Sequence, residues 1–280
     1  MSVSMTFERK CYKVMLLVYD PIFVCNMKNL FLGLLATCFV GGAAAAATFI
    51  GYAYPYSHLD LNKELGSTPL VVEMFTTPAC IFCPVADSFF GDLVKKAPII
   101  GVSCPVDHLD VKVEPVGLKT CTRRHYGYAA SIPTSTFTPL MIINGREPVV
   151  AYSYSKVLEA LRKEAKTPPI PLSIKKIGKG TYSFDLPETK MGHISGFSRG
   201  ADIVLVEYKK PTAKIIKDGD SQGVTTHYTH MASSVVKLEE WDGKAKTFNF
   251  PLTPDPSSEG AAILVQNRKV GIIAAGEIKF

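Results

Sequence analysis

The sequence predicts an α/β domain followed by an all-β, sandwich-like C-terminal domain, both behind a leader. Three observations carry this expectation. A β-α-β order opens after residue 68 and closes with a helix before Thr167-Pro168-Pro169. Beyond Pro169, short apolar runs alternate with turn signals and little helix. Ahead of both, the chain from Asn29 to Ser57 contains no Asp, Glu, Lys or Arg.

That uncharged stretch is read first. Its apolar part runs from Leu30 to about Tyr54, long enough to cross a bilayer core. Lys28 stands just before it, with Arg9, Lys10 and Lys13 further upstream. Positive charge ahead of an apolar run predicts the N-terminus inside and the rest outside. Two readings fit: an uncleaved anchor, or a signal peptide starting at Met27 and cleaved in the small-residue stretch Gly41 to Ala47. Residues 1–57 are therefore expected to be a leader, with the remainder periplasmic or membrane-anchored and facing the periplasm. A lipoprotein site at Cys38 fits poorly, because Thr37 precedes the cysteine.

Composition narrows the function classes. Of 280 residues, 47% are hydrophobic and 20% charged, which excludes a disordered charged chain. The net charge of +6 comes from scattered lysines with no basic run, so no nucleic-acid partner is expected. Beyond Pro169 no glycine-rich phosphate loop, catalytic triad or metal signature stands out, and no cofactor is expected.

The elements follow in order. Leu70 to Phe75 is a short apolar run and reads as a buried strand. Thr76-Thr77-Pro78-Ala79 breaks it, and Cys80-Ile81-Phe82-Cys83-Pro84 leads into a helix with Val85, Phe89, Leu93 and Val94 on one face. Pro98 to Val106 reads as a second strand and Thr138 to Ile143 as a third. Asn144-Gly145 marks a tight hairpin turn into Pro148 to Tyr152. Ser155 is expected to cap a helix running to Lys166. The domain thus spans 68–168 with an insert at 107–131, and a β-rich domain fills 169–280. In the latter, strands are expected at Leu172 to Ile177, Tyr182 to Leu186, Ile203 to Tyr208, Lys214 to Ile216, Val224 to Met231, Thr247 to Leu252, Ala262 to Val265 and Val270 to Ile278.

The cysteines carry the chemistry. Seven are present, and Cys80, Cys83, Cys104 and Cys121 lie beyond the leader. An even number in an oxidising compartment suggests pairing. Cys-x-x-Cys between a strand and a helix places Cys80 at the helix N-terminus, where unpaired backbone N–H groups favour a thiolate. Cys83, within the first turn, is placed to resolve a mixed disulfide formed on Cys80. A structural disulfide competes with this reading. So does a metal site, which needs two more ligands from Cys104, His108, Cys121 or His125. Phe137-Thr138-Pro139 opens the third strand; such a proline shapes a dithiol site in thioredoxin folds, or is a plain edge residue. Even counting pairs Cys104 with Cys121, with exchange between this pair and the dithiol as the alternative.

Six segments now resemble a known family: VVEMFTTPACIFCPVAD at 71–87, PVDHLD at 105–110, FTPLMIINGR at 137–146, and ADIVLVEY and LEEWDG followed by ILVQ in the last third. The chain resembles the thioredoxin-like, mostly bacterial, exported domain-of-unknown-function family twelve-twenty-three, over about residues 68 to 280. The resemblance implies an α/β thioredoxin-like domain with a β-rich extension in the cell envelope, and no particular substrate. The chain departs from that pattern at His108-Leu109, at Val85, and in having Cys104 and Cys121.

Other residues read more plainly. Asp107 and Asp110 suit turns and caps. Arg123 and Arg124 suit a solvated surface, and Trp241 a core. His227 and His230 fall on opposite faces of a strand, which argues against a shared metal. The expected function is an envelope thiol–disulfide oxidoreductase with Cys80 attacking, Cys83 resolving, and Thr138 and Pro139 shaping the site. Its partners are protein or small-molecule thiols and disulfides, with membrane contact through the N-terminal segment. The rivals are a binding module with a structural disulfide and a metal handler using Cys80 and Cys83.

Overall fold

The computed structural model describes residues 59–107, 117–189, 200–217, 220–267 and 269–280. The leader, His108, Leu109 and Asp110 lie outside them. Among the described residues no helix is long and apolar enough to cross a membrane.

Four helices are present among these residues: α1 (Leu61–Leu65), α2 (Cys83–Lys96), α3 (Lys119–Ser131) and α4 (Tyr154–Glu164). The first sheet contains β1 (Leu70–Thr76), β2 (Ile99–Pro105), β3 (Leu140–Ile143) and β4 (Glu147–Val150), in the order β2-β1-β3-β4. β1 runs parallel to β2 and antiparallel to β3. The remaining strands are β5 (Ile170–Pro171), β6 (Lys175–Gly178), β7 (Thr181–Leu186), β8 (Ala201–Lys209), β9 (Thr212–Ile215), β10 (Thr225–Tyr228), β11 (Ala232–Trp241), β12 (Lys246–Pro251), β13 (Ser258–Asn267) and β14 (Gly271–Lys279). They form a five-stranded sheet β11-β8-β13-β14-β5, a three-stranded sheet β12-β7-β6 and the hairpin β9–β10.

This architecture corrects the expected fold class. The chain is not an α/β thioredoxin-like domain followed by an all-β sandwich. It is mostly β-strand, in several sheets that mix parallel and antiparallel pairing, with few helices. The reason lies in β1, every residue of which is buried. Leu70, Val72 and Met74 face a core shared with α2 and α4. Val71 and Phe75 face a second core with Val204 and Val206 of β8 and Ala262 and Leu264 of β13. A fully apolar strand announces burial on both faces, but not whether helices or another sheet do the covering. Here one face meets α2 and α4, and the other meets α3 and the five-stranded sheet. That sheet in turn turns Ile203, Leu205 and Ile263 toward β7 and β12. Each such side chain contributes roughly 1.5–3 kcal/mol when fully buried.

Local corrections are small. α4 starts at Tyr154 with Ser153 at its N-cap, rather than Ser155, and buries Val157, Leu158 and Leu161. On α2 the buried face is Cys83, Ala86, Asp87, Phe89, Phe90 and Leu93, while Val85 is exposed. Asn144 and Gly145 both adopt positive φ, 48° and 67°, as a tight turn from β3 into β4 requires. Asn144 also accepts from Val71 N–H at 2.9 Å and donates to Glu164 at 3.0 Å, tying β1, the turn and α4 together. Arg124 is not a surface cation: it pairs with the fully buried Glu73 of β1. Trp241 is buried and donates Nε1–H to Lys244 O at 2.6 Å.

Candidate functional site

β1 ends at Thr76, and the chain turns through Thr77-Pro78-Ala79 before α2 begins at Cys83. Cys80 sits in that turn, where its N–H donates to Thr77 O at 3.4 Å and its carbonyl accepts from Cys83 N–H at 3.1 Å. Pro84 occupies the first helical turn, where its missing N–H costs nothing. Cys80 is half-buried, whereas Cys83 is only 1% exposed. Both are free thiols.

The two sulfurs differ in proton affinity. The Cys83 thiol donates a hydrogen bond that lowers the Cys80 pKa to about 6, against partial burial, with further help from the backbone N–H groups of Phe82 and Cys83 and from Thr138. In its thiol form Cys80 donates to Thr138 O at 3.3 Å. Burial pushes Cys83 well above the usual thiol range, reinforced by Cys80 and by the charge of Asp87. Cys83 Sγ accepts from Thr77 N–H at 3.5 Å.

Asp87 lies one helical turn beyond Cys83 and is 3% exposed. Burial raises its pKa to about 8, opposed by hydrogen bonds from Thr76 and Thr226. Thr76 Oγ1–H donates to Asp87 Oδ2 at 3.1 Å, while Asp87 Oδ1 is buried and makes no hydrogen bond. Thr76 also acts on Cys83, lowering its pKa slightly against the effect of burial. Asp87 was missed in the sequence, although a signal existed: it stands four residues after Cys83 on the helical face that also buries Ala86 and Phe90. Nothing in the sequence links Thr226 to it.

The structure brings Cys80, Cys83 and Thr138 together, with Pro139 adjoining through a cis peptide bond. Around Cys80 the surface is apolar: Ile81 is 57% exposed, and Phe82 stacks on Tyr152 with ring centroids 4.8 Å apart. Cys104 and Cys121 are bonded to each other, with Cα atoms 5.4 Å apart. They belong to the core on the sheet face away from α2. Asp107 accepts from the Thr122 hydroxyl in the first turn of α3. His227 is exposed on β10, and His230 is buried in the corner after it, bonded to Gly101 O at 2.9 Å. Among the described residues no three His, Cys, Asp or Glu side chains come together as a metal centre needs. A separate groove between β4 and α4 is lined by Glu147, Glu159, Lys156 and Lys163 among others, and none of the dithiol residues lines it.

A family model described as a protein of unknown function (DUF1223) matches residues 71–266, which include the whole dithiol segment. The chain belongs to the DUF1223 family. No curated protein matches it. A solved structure of a protein from Agrobacterium tumefaciens is 23% identical, with a TM-score of 0.63, covering 76% of this chain and 95% of that one. The HBP35 structure of Porphyromonas gingivalis is 13% identical, with a TM-score of 0.50 and coverage of 76% on both sides. At these identities the similarity concerns the fold of this DUF1223 member and not its activity.

Proposed function

We propose that this DUF1223 protein is a thiol–disulfide oxidoreductase that acts outside the cytoplasm on protein or small-molecule thiols and disulfides. One observation carries the reading: two free cysteines at a helix start, with the accessible one lowered to about 6 and the buried one raised. At neutral pH the accessible sulfur is then the charged, nucleophilic one.

The reaction on a disulfide substrate runs in two steps. Cys80 thiolate attacks one substrate sulfur; a Cys80–substrate bond forms, the substrate disulfide breaks, and the departing thiolate takes a proton from water. Burial holds a proton on Asp87 up to about pH 8, and loss of the Cys80 charge removes a smaller repulsion that favours the same state, so Asp87 can now release that proton to water. Asp87, as carboxylate, accepts the Cys83 proton, directly or through the Thr76 hydroxyl. Cys83 attacks Cys80, the Cys80–Cys83 bond forms, and the second substrate thiolate leaves. The enzyme loses two electrons and the substrate gains two. The same steps reversed oxidise a dithiol substrate.

The external location rests on the charge pattern around Asn29 to Ser57, and the Cys104–Cys121 disulfide favours it. A reporter active only outside the cytoplasm, fused after Phe280, is expected to be active. For the chemistry, Cys83→Ser is expected to trap a mixed disulfide on Cys80, and Cys80→Ser to trap nothing. Equal trapping by neither variant, with Cys80 inert to thiol reagents after reduction, overturns the reading.

A further inference from the structure

Thr226 of β10 reaches Asp87, beside the dithiol, from 139 residues along the chain. It is 1% exposed, and its Oγ1–H donates to Asp87 Oδ2 at 3.3 Å, the same oxygen that accepts from Thr76. The turn leading into β10 meets the dithiol a second time: Ser221, 2% exposed, donates its hydroxyl to Cys80 O at 3.3 Å. β10 lies along α2, and the approach is close. A Cβ at Gly91 would stand 2.8 Å from Thr229 Oγ1, so the residue facing the hairpin has no side chain to hold it off. Just past β10, Ser103 N–H donates to His230 O at 2.9 Å and fastens the corner to β2.

We propose that the β9–β10 hairpin is a working part of the redox centre, with Thr226 the positioning residue that holds Asp87 ready to take the proton of Cys83. This rests on the dithiol reading above.

The physical argument is one of charge and supply of donors. A carboxylate buried among apolar side chains is stable only if donors face it. Thr76, on β1, is one such donor and lies within the element that carries the site. Thr226 is the other, and it comes from the C-terminal half of the chain. Its bond strengthens when Asp87 becomes charged, because hydrogen bonds to an ion are the stronger kind. It therefore favours the state of Asp87 that the resolving step needs. In that step the proton passes from Cys83 Sγ to Asp87. The Cys80–Cys83 bond forms, the Cys80–substrate bond breaks, and the substrate leaves as a thiolate. Without the Thr226 donor, Asp87 holds its own proton to higher pH and accepts that of Cys83 less readily.

Dithiodipyridine reports both steps on the full-length, reduced protein, because each releases one thiopyridone. The first phase reads attack by Cys80 and the second reads resolution by Cys83. Thr226→Val is expected to leave the midpoint of the first phase in place, slow the second phase about tenfold at neutral pH, and move its midpoint alkaline by about one pH unit. Thr226→Ser, which keeps the hydroxyl, is expected to restore the wild-type profile, a rescue that a purely packing role does not give. In an Asp87→Asn background, Thr226→Val should have no further effect on the second phase. If Thr226→Val does not fold, Thr226→Ala, which needs no added room, is read in the same way. A second phase unchanged in Thr226→Val or Thr226→Ala overturns this inference and leaves the dithiol reading standing. Absence of a rapid first phase in the wild type overturns both.

Discussion

Arg124 of α3 and Glu73 of β1, fifty-one residues apart, form an ion pair in the interior, with Glu73 fully buried and Arg124 11% exposed at its side chain. Arg124 Nη2 donates to Glu73 Oε2 at 2.8 Å and to the Tyr128 hydroxyl oxygen at 3.0 Å, and that hydroxyl donates to Glu73. Removing one partner strands a buried charge. Arg124→Met is expected to cost about 3–5 kcal/mol in denaturant unfolding, and Glu73→Gln combined with Arg124→Met distinctly less. An Arg124→Met loss below about 1 kcal/mol would show that the pair is solvated.

Alkylation of the reduced protein should separate the two thiols. Cys80 is expected to react with a midpoint near the pH of about 6 at which it loses its proton, while Cys83 stays slow across the neutral range. The largest stabiliser of the Cys80 thiolate is the Cys83 thiol, so Cys83→Ala should move the Cys80 midpoint back toward 9.0. A midpoint unmoved by Cys83→Ala would assign the lowering to the helix N-terminus instead.

Asp87 links stability to pH in a direction opposite to that of an ordinary surface acid. Its proton is held up to about pH 8 in the folded protein and lost near 3.8 when unfolded. The folded state binds more protons between these values, so its stability falls as pH rises through that window. Asp87→Asn removes this slope. Its stability relative to the wild type should be similar near pH 4 and should grow to at most about 6 kcal/mol above pH 8. Cys80 titrates in both proteins, so only its smaller repulsion with Asp87 remains in the difference. Parallel pH profiles for the two would mean that Asp87 is ionised in the folded state throughout.

The Cys104–Cys121 bond joins residues 17 apart in sequence and ties α3 to β2. Replacing both by alanine should lower stability by about 3 kcal/mol through the freer unfolded chain. The Cys80 midpoint should stay where it is, because the pair lies on the other face of the sheet. A shifted Cys80 midpoint in the double variant would instead point to exchange between the two pairs.

The sequence makes local features plain and long-range ones obscure. β1, the turn at Asn144-Gly145 and the strand–Cys-x-x-Cys–helix arrangement are visible because each is set by neighbours in the chain. β11 escaped notice because none of Ser233 to Glu240 is fully buried; this edge strand, with Lys237, Glu239 and Glu240, shows no apolar run longer than Val235-Val236. The class of fold was misread at β1 and β8, whose alternate residues serve two different cores. Periodicity reports that both faces are covered and is silent on the cover. The two hydroxyls at Asp87 show the same limit at the site: Thr76 is eleven residues away in sequence and Thr226 is 139.

The second core, in which Val71 and Phe75 meet Ala262 and Leu264, sets the order in which the protein is completed. During synthesis the ribosome delivers β1 long before β13. Until β8 and β13 emerge, the first sheet carries an apolar face that α3 covers only in part, and its closing contacts bridge nearly the whole described chain. Such contacts make for slow folding and for an aggregation-prone nascent state. The half-made protein is thus prone to stick to its like, and a chain stopped after residue 168 would keep that face for good.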